Sequence, residues 1–343
     1  MTILKRPNRL ELSVIVGVGV AVWCLALAGV AKAQDPPPPP PVTLGPTGDF
    51  AVLSDAGPLS LGNHTLILGT GASLASTYAV LKIGDAQTRI QGDAIATQFE
   101  LNPPPATITM LNYGHVTGAC VTDGTTIPTS IFLHTGATCG SEVADPNSPL
   151  IGNLADAVDN EEIVDAAILC QEPTEMLPAI VLGAGKKMTI PVAAGLNVIV
   201  TPSITLGNSS VLTLSGGSAD SVVLATTGSP GEGKINVGDS AKIVLAGLSP
   251  QNVWISSTPE PQGFNPPASA ANASLILKNS SVINGTLHGG FTCSIGSSVT
   301  INGAIICDYG LTAGHNLTVN FKPATGLSLP DCITDDPIDL DTD

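Results

Sequence analysis

LILKNSSVING (275–285), CSIGSSVTING (293–303) and LTAGHNLTVNF (311–321) are one phrase repeated at intervals of 18 residues without a gap. Alignment of the three copies places Leu277, Ile295 and Ala313 in one column, and Ile283, Ile301 and Val319 in another. A period of 18 is too short for a helical repeat and fits one rung of a solenoid with three short faces. The repeat therefore predicts an all-β chain folded as a β-solenoid (β-helix) of triangular section.

Apolar and polar residues alternate within each copy, which is the period of two that turns one side of a strand inward. We expect the two aliphatic columns to face the core. Between them lies a corner built from Lys278-Asn279, Gly296-Ser297 and Gly314-His315. Glycine and asparagine suit a sharp corner because they tolerate a positive φ.

Looser copies of the phrase occur at 204–211, 235–242, 66–71 and 83–86. Rungs are therefore expected on both sides of the middle of the chain, with irregular loops inserted at 99–149, 227–233 and 257–273. Ser148 and Pro149 predict a helix start. Apolar residues then recur at steps of about three or four, which predicts one amphipathic helix at 148–170 lying along the solenoid: Leu154, Val158, Ile163, Ala167 and Cys170.

The N-terminus has the pattern of a secretory signal peptide at 1–33, with early basic residues, an apolar run and the small-x-small end Ala31-Lys32-Ala33. The alternative is an uncleaved anchor, because the apolar run could just span a bilayer. A stiff Pro-rich spacer follows at 34–43. The solenoid is expected at 44–325 and an acidic tail at 326–343, so the sequence predicts a secreted, extracellular protein.

Cleavage after residue 33 leaves 8 basic and 27 acidic residues, a net charge of −19 with histidine neutral. Such a chain repels nucleic acid and anionic lipid. Six cysteines remain, and an even number in an exported chain indicates up to three disulfides. Cys120 and Cys139 bracket one polar loop and are the pair that we predict, although buried free thiols are the alternative for some of the six.

Several phrases, in order, resemble the secreted ice-binding-like (antifreeze) β-solenoid family. Gly48-Asp49-Phe50-Ala51-Val52-Leu53 is similar to its opening strand, and 220–224 to its central core strand. The stretch 243–254, which ends in Asn252-Val253-x-Trp254, is similar to its strand and turn. The resemblance covers about 44–325 and implies a right-handed solenoid with the helix at its flank. It also implies that one flat face binds ice. The long loops, extra cysteines and acidic tail depart from the family pattern.

An ice-binding face needs a flat, rigid array of short side chains at constant spacing, whose hydroxyls order water and whose methyls exclude it. Outward positions beside the second aliphatic column form three such rows: Val282, Thr300 and Thr318; Asn284, Asn302 and Asn320; Ser280, Ser298 and Asn316. The alternative is that these residues are structural ladders that fill pleats and corners. Lys242 falls in the Val282 row of an upstream rung and would break its flatness.

Enzymatic chemistry is not expected. The five histidines lie in segments that read as polar loops or corners, without metal-ligand spacing, and no Gly-x-Ser-x-Gly elbow surrounds a serine. No cofactor, metal, nucleic acid or small-molecule substrate is predicted. The expected partner is ice or an extracellular polymer surface, bound by a monomer. The functional alternative is an adhesin or structural surface protein without ice activity.

Overall fold

The structure is a computed structural model that describes residues 42–43, 50–78, 80–85, 87–98, 106–124, 126–169, 172–227, 233–257, 273–324 and 327–329. All of them belong to one compact unit, Pro40–Asp343. The predicted signal peptide lies outside these residues. So do Cys170, Cys332, and most of the predicted spacer, tail and loops at 227–233 and 257–273.

Short parallel strands stack in three columns, which are the faces a, b and c of a β-solenoid, as the repeat predicted. Face a is a ten-stranded sheet, here ordered along the solenoid: β11 (Ile131–Leu133), β9 (Thr107–Met110), β6 (Val80–Ile83), β3 (Leu59–Ser60), β29 (Leu311–Ala313), β26 (Cys293–Ile295), β23 (Leu275–Leu277), β20 (Ile235–Val237), β17 (Ile204–Leu206) and β14 (Ile180–Leu182).

Faces b and c share two long strands that bend from one face to the other, β12 (Thr138–Ala144) and β10 (His115–Thr122). Face b continues with β7 (Arg89–Ile90), β4 (Leu66–Leu68), β30 (Thr318–Phe321), β27 (Thr300–Gly303), β24 (Val282–Asn284), β21 (Lys242–Ala246), β18 (Val211–Ser215) and β15 (Lys187–Pro191). Face c continues with β8 (Ala94–Ala96), β5 (Ser73–Ser76), β2 (Phe50–Ser54), β28 (Ile305–Cys307), β25 (Thr286–Gly289), β22 (Val253–Ser257), β19 (Ser221–Thr226), β16 (Leu196–Thr201) and β13 (Glu175–Met176).

The rungs do not stack in the order of the sequence. The chain starts in the middle of the solenoid and winds outward through β6 and β9 to β11. After the central helix it resumes at the opposite end with β14 and winds back inward to β29. There β29 pairs with β3, β30 pairs with β4 and β28 pairs with β2. The N-terminal and C-terminal rungs thus join into one continuous stack.

The two aliphatic columns face the core as predicted. Leu277, Ile295 and Ala313 are in register on face a and buried. Ile283, Ile301 and Val319 are in register on face b with no exposed surface. Similar aliphatic residues from the other rungs complete the same cluster, so the core is a narrow column that needs few aromatic side chains.

Two helices occur in the described residues, α1 (Ile127–Ser130) and α2 (Pro149–Leu169). Helix α2 confirms the helix predicted at 148–170. At 1.5 Å per residue its length is about 31 Å, the height of six or seven rungs at about 4.8 Å each. Its side chains Ile151, Leu154, Ala157 and Val164 are buried in a second cluster with outward residues of face c. Face c is therefore apolar on both sides, whereas the helix leaves faces a and b out of this cluster.

The sequence 99–149 is not an irregular loop, and that prediction was wrong. It contains β9, β10, β11, β12 and the short helix α1, which add rungs to the N-terminal end of the stack. Their spacing departs from 18 residues because the corners differ in length, and this concealed them. A further antiparallel pair, β1 (Val42–Thr43) with β31 (Ser328–Leu329), contacts α2 and lies just outside the predicted solenoid limits on both sides.

Cys120 and Cys139 form the predicted disulfide, which links β10 to β12 in adjacent rungs. A second disulfide joins Cys293 on face a to Cys307 on face c. Its half-cystines lie 14 residues apart in the chain, so it crosses the interior of the solenoid within less than one rung.

Candidate functional site

Face b carries the predicted row of Val282, Thr300 and Thr318 in strict register across three neighbouring rungs. Each of these side chains keeps part of its surface exposed. Their neighbours Ile283, Ile301 and Val319 point into the core, so the row lies on the outer side of the sheet. Parallel strands lie about 4.8 Å apart, which sets the spacing of the row along the solenoid.

The asparagines beside this row form a hydrogen-bonded ladder. Asn320 Nδ2 donates to Asn302 Oδ1 at 2.8 Å, and Asn302 Nδ2 donates to Asn284 Oδ1 at 2.8 Å. Asn284 Nδ2 ends the ladder on the carbonyl oxygen of Ile243 at 2.9 Å. The structural alternative considered for the Asn row thus holds, because each amide spends one donor on the neighbouring rung. The ladder also fixes the orientation of the amides on face b.

The third predicted row does not lie in the plane of face b. Ser280, Ser298 and Asn316 have φ of 58°, 60° and 60°, which places them in the left-handed region at the corner between faces a and b. The backbone N–H of Ser298 donates to the carbonyl oxygen of His315 in the next rung at 2.7 Å, and Asn316 does the same to Asn63 at 2.8 Å. The side chains are exposed but border the face instead of extending it.

The uncharged part of face b is four rungs long. Beyond Thr318 the row continues with Leu66 and then reaches Arg89. In the other direction Val282 is followed by Lys242, as the sequence indicated. Both cations are exposed. The plane between them is about 14 Å long, three strand spacings.

Face a offers a longer uncharged row that the sequence reasoning did not identify. One outward residue per rung lies in register between Lys82 and the end of the stack: Ser60, Thr312, Ser294, Ile276, Asn236, Thr205 and Val181. The signal was present in the repeat as the middle residue of each Leu-Ile-Leu-type triplet. It was overlooked because attention went to the longer strands of face b.

The structure corrects the interpretation of His288 as a residue of a polar loop or corner. His288 lies on β25, is fully buried and stacks on Trp254 with ring centroids 5.6 Å apart. Its Nδ1 lies 3.0 Å from Ser256 Oγ and its Nε2 lies 2.7 Å from Asp308 Oδ1. The three polar residues resemble a nucleophile–base–acid set, but Ser256 is 2 % exposed and also donates to the Ser257 carbonyl oxygen. The arrangement links three adjacent rungs and offers a substrate no access.

His315 occupies the rung corner that the sequence assigned to it, and its Nδ1 accepts the backbone N–H of Asn63 at 3.3 Å. Among the described residues no group of three or more His, Cys, Asp or Glu side chains could hold a metal ion. In the same part of the chain, no helix is both long and apolar enough to cross a membrane.

No family model matches the chain, and neither does any curated protein. Solved structures do match. The ice-binding protein of the Antarctic ascomycete Antarctomyces psychrotrophicus is 14% identical, with 82% of this chain and 98% of that chain covered and a TM-score of 0.47. The antifreeze ice-binding protein LeIBP of an Arctic yeast is 16% identical, with 82% and 94% covered and a TM-score of 0.45.

A domain of Shewanella frigidimarina ice-binding protein_1 is 12% identical, with 82% of this chain and 97% of that chain covered and a TM-score of 0.43. All three are described as ice-binding proteins. The chain is thus similar to structures that carry the description of the family its sequence phrases resemble.

Proposed function

We propose that the protein is exported and adsorbs to ice through face b of the solenoid. The observation that carries the proposal is the in-register row of Val282, Thr300 and Thr318 on the outer side of a parallel sheet. Threonine presents a methyl group and a hydroxyl group together, so such a row can exclude bulk water and hydrogen-bond ordered water.

Rigidity is the second requirement, because a surface that must order itself on contact loses affinity. Thr300 and Thr318 are β-branched and therefore stiff at χ1. The adjacent amides of Asn284, Asn302 and Asn320 are held by their ladder. The face is thus arranged before it meets a ligand, and its spacing is set by backbone hydrogen bonds.

The test is ice recrystallisation in the presence of the purified mature protein. We expect inhibition by the native protein and its loss in the double variant Thr300→Tyr, Thr318→Tyr, whose rings would stand above the plane. The protein concentration needed should rise at least about tenfold, the effect of losing roughly 1.4 kcal/mol of adsorption energy. The matched control is Thr205→Tyr, Thr312→Tyr, which makes the same change on face a.

Each outcome has one meaning. Loss confined to the face b pair supports the proposal. Loss confined to the face a pair assigns adsorption to the other plane and contradicts the role of face b. A native protein without any effect on ice growth contradicts ice adsorption itself.

A further inference from the structure

A cleft of about 360 Å³ lies where the first turns of α2 meet the turn Gly69–Gly71 and the ends of β2 and β30. It is remote from the rows on face b and takes no part in the proposed adsorption to ice. Its volume falls at the small end of the range for ligand sites, about 300–1,000 Å³. That is room for a ligand of one or two small rings.

Two aromatic side chains form part of the wall. Phe50 and Phe321 line the cleft and are only 4% and 7% exposed, so packing with the solenoid fixes both rings. The sequence has only 6 phenylalanines in 343 residues, and two of them line this cleft. Aromatic rings offer a flat apolar surface with a negative face, which suits the weakly positive C–H groups of a ligand ring.

The polar residues of the cleft supply both acceptors and donors. Asp93 uses Oδ1 to accept the backbone N–H of Ala119 at 2.7 Å, and Oδ2 has no partner among the described residues. Ser73 Oγ accepts the backbone N–H of Asp93 at 3.1 Å, so its hydroxyl proton can be donated to a ligand. The Thr70 hydroxyl and the Asn153 amide complete the set, and each can donate and accept.

The turn that borders the cleft is held in place before any ligand arrives. Gly69 N donates to Gln91 Oε1 at 2.7 Å, and Ser73 N donates to the carbonyl oxygen of Gly71 at 2.7 Å. Gly71 has a φ of 70° and no atom within 4 Å of a Cβ built on it. The turn therefore takes a conformation suited to glycine and leaves open space beside the cleft. A preformed site loses little entropy on binding.

From these features we propose that the cleft binds a neutral saccharide unit, one or two hexose rings in size. An ammonium ligand needs acceptors alone, whereas sugar hydroxyls need the mixture of donors and acceptors found here. The only charged residue of the lining is the carboxylate of Asp93, and the whole chain carries a net charge of −16. An acidic sugar would therefore be repelled.

Saturation-transfer NMR on the full chain tests the proposal, with cellobiose, maltose and N,N′-diacetylchitobiose as neutral probes and glucuronic acid as the anionic probe. At least one neutral disaccharide should bind with Kd in the millimolar range, as small ligands with few polar contacts do. Glucuronic acid should not bind.

Two variants localise the binding. Asp93→Asn keeps an oxygen for Ala119 N–H but replaces the acceptor Oδ2, and should weaken binding about tenfold. Asn153 is exposed on α2, so Asn153→Ala should weaken binding and leave the melting temperature unchanged. The matched control is Asp156→Asn, which makes the same carboxylate-to-amide change at an exposed helix position outside the cleft.

Free sugar and polymer are distinguished by co-sedimentation with cellulose, starch and chitin. Sedimentation that Asp93→Asn abolishes assigns the cleft to a polymer chain, and disaccharide binding without sedimentation assigns it to free sugar. Absence of both, or binding that Asp93→Asn and Asn153→Ala leave unchanged, overturns the proposal. None of these results depends on ice activity, which Asp93→Asn should leave intact.

Discussion

Close contact between rungs falls on a few residues at the corner of faces a and b. Every rung has one residue there in the left-handed conformation: Gly136, Tyr113, Gln87, His64, Asn316, Ser298, Ser280, Ser240, Ser209 and Gly185. Most are not glycine, so the neighbouring rungs hold a backbone conformation that few side chains favour. Shortly before this residue, a glycine often allows one backbone to approach the next.

Gly62 is the clearest case for a prediction. A Cβ built on it would lie 2.4 Å from the carbonyl oxygen of Gly314, in the rung that joins the two halves of the stack. Gly62→Ala should lower the free energy of unfolding by about 1–3 kcal/mol, the usual effect of overpacking. Gly152 on α2 has no atom within 4 Å of such a Cβ, so Gly152→Ala should raise stability by about 0.5–1 kcal/mol. Urea unfolding measures both, and equal effects of the two changes would contradict the assignment.

The same corner shows which residues the sequence could place. The inward columns and the Val282 row were predicted correctly because alternation holds within a strand. Ser280, Ser298 and Asn316 were misplaced because that alternation was extended through a residue of positive φ, where the chain turns and successive side chains no longer alternate about one sheet. Serine in that conformation has no distinctive sequence signature, unlike glycine.

Helix α2 stabilises the solenoid because face c is apolar on its outer side. Leu53, Ala75, Ile95 and Val121 form an outward row along face c and are buried in the cluster with the helix. Without α2 this row would be an exposed apolar patch, which soluble proteins rarely tolerate. The helix was predictable from its capping residues and apolar spacing. The face that it covers was not, because most of that row belongs to irregular rungs.

Leu154 is the helix residue best suited to test this packing. It has no exposed surface, so Leu154→Ala should lower the free energy of unfolding by about 2–5 kcal/mol. Asp156→Ala, two residues away and exposed, should change it by no more than about 0.5 kcal/mol. Chemical denaturation followed by Trp254 fluorescence would record both. A small effect at Leu154 would mean that the helix is dispensable for the fold.

The order of the rungs divides the whole molecule into two interlocked halves. Strands β2, β3 and β4 pair with β28, β29 and β30, so the middle of the stack is formed by segments more than 250 residues apart. Repetition alone could not reveal this order, since any rung of the repeat can stack on any other with similar aliphatic contacts. The sequence predicted what a rung looks like but left its neighbours open.

Cleavage of the folded chain between the halves tests the interlock. A protease site introduced between Cys170 and Gln171, with Cys170→Ser and Cys332→Ser to exclude a covalent link there, should yield two pieces that co-elute in size-exclusion chromatography. They should separate only in denaturant, because three strand pairs and the helix hold them together. Pieces that separate in buffer after cleavage would show that the junction is weak.

The pairing of β1 with β31 brings Thr43 beside Ser328, next to α2. Whatever polypeptide is attached before or after these strands therefore departs from the helical flank, while the corner of faces a and b points the opposite way. A circular permutant that joins the two strands by a short peptide should be tolerated for the same reason. Such a module can be carried on a larger assembly, or fixed to a support by either end, with its two uncovered planes still turned toward the surroundings.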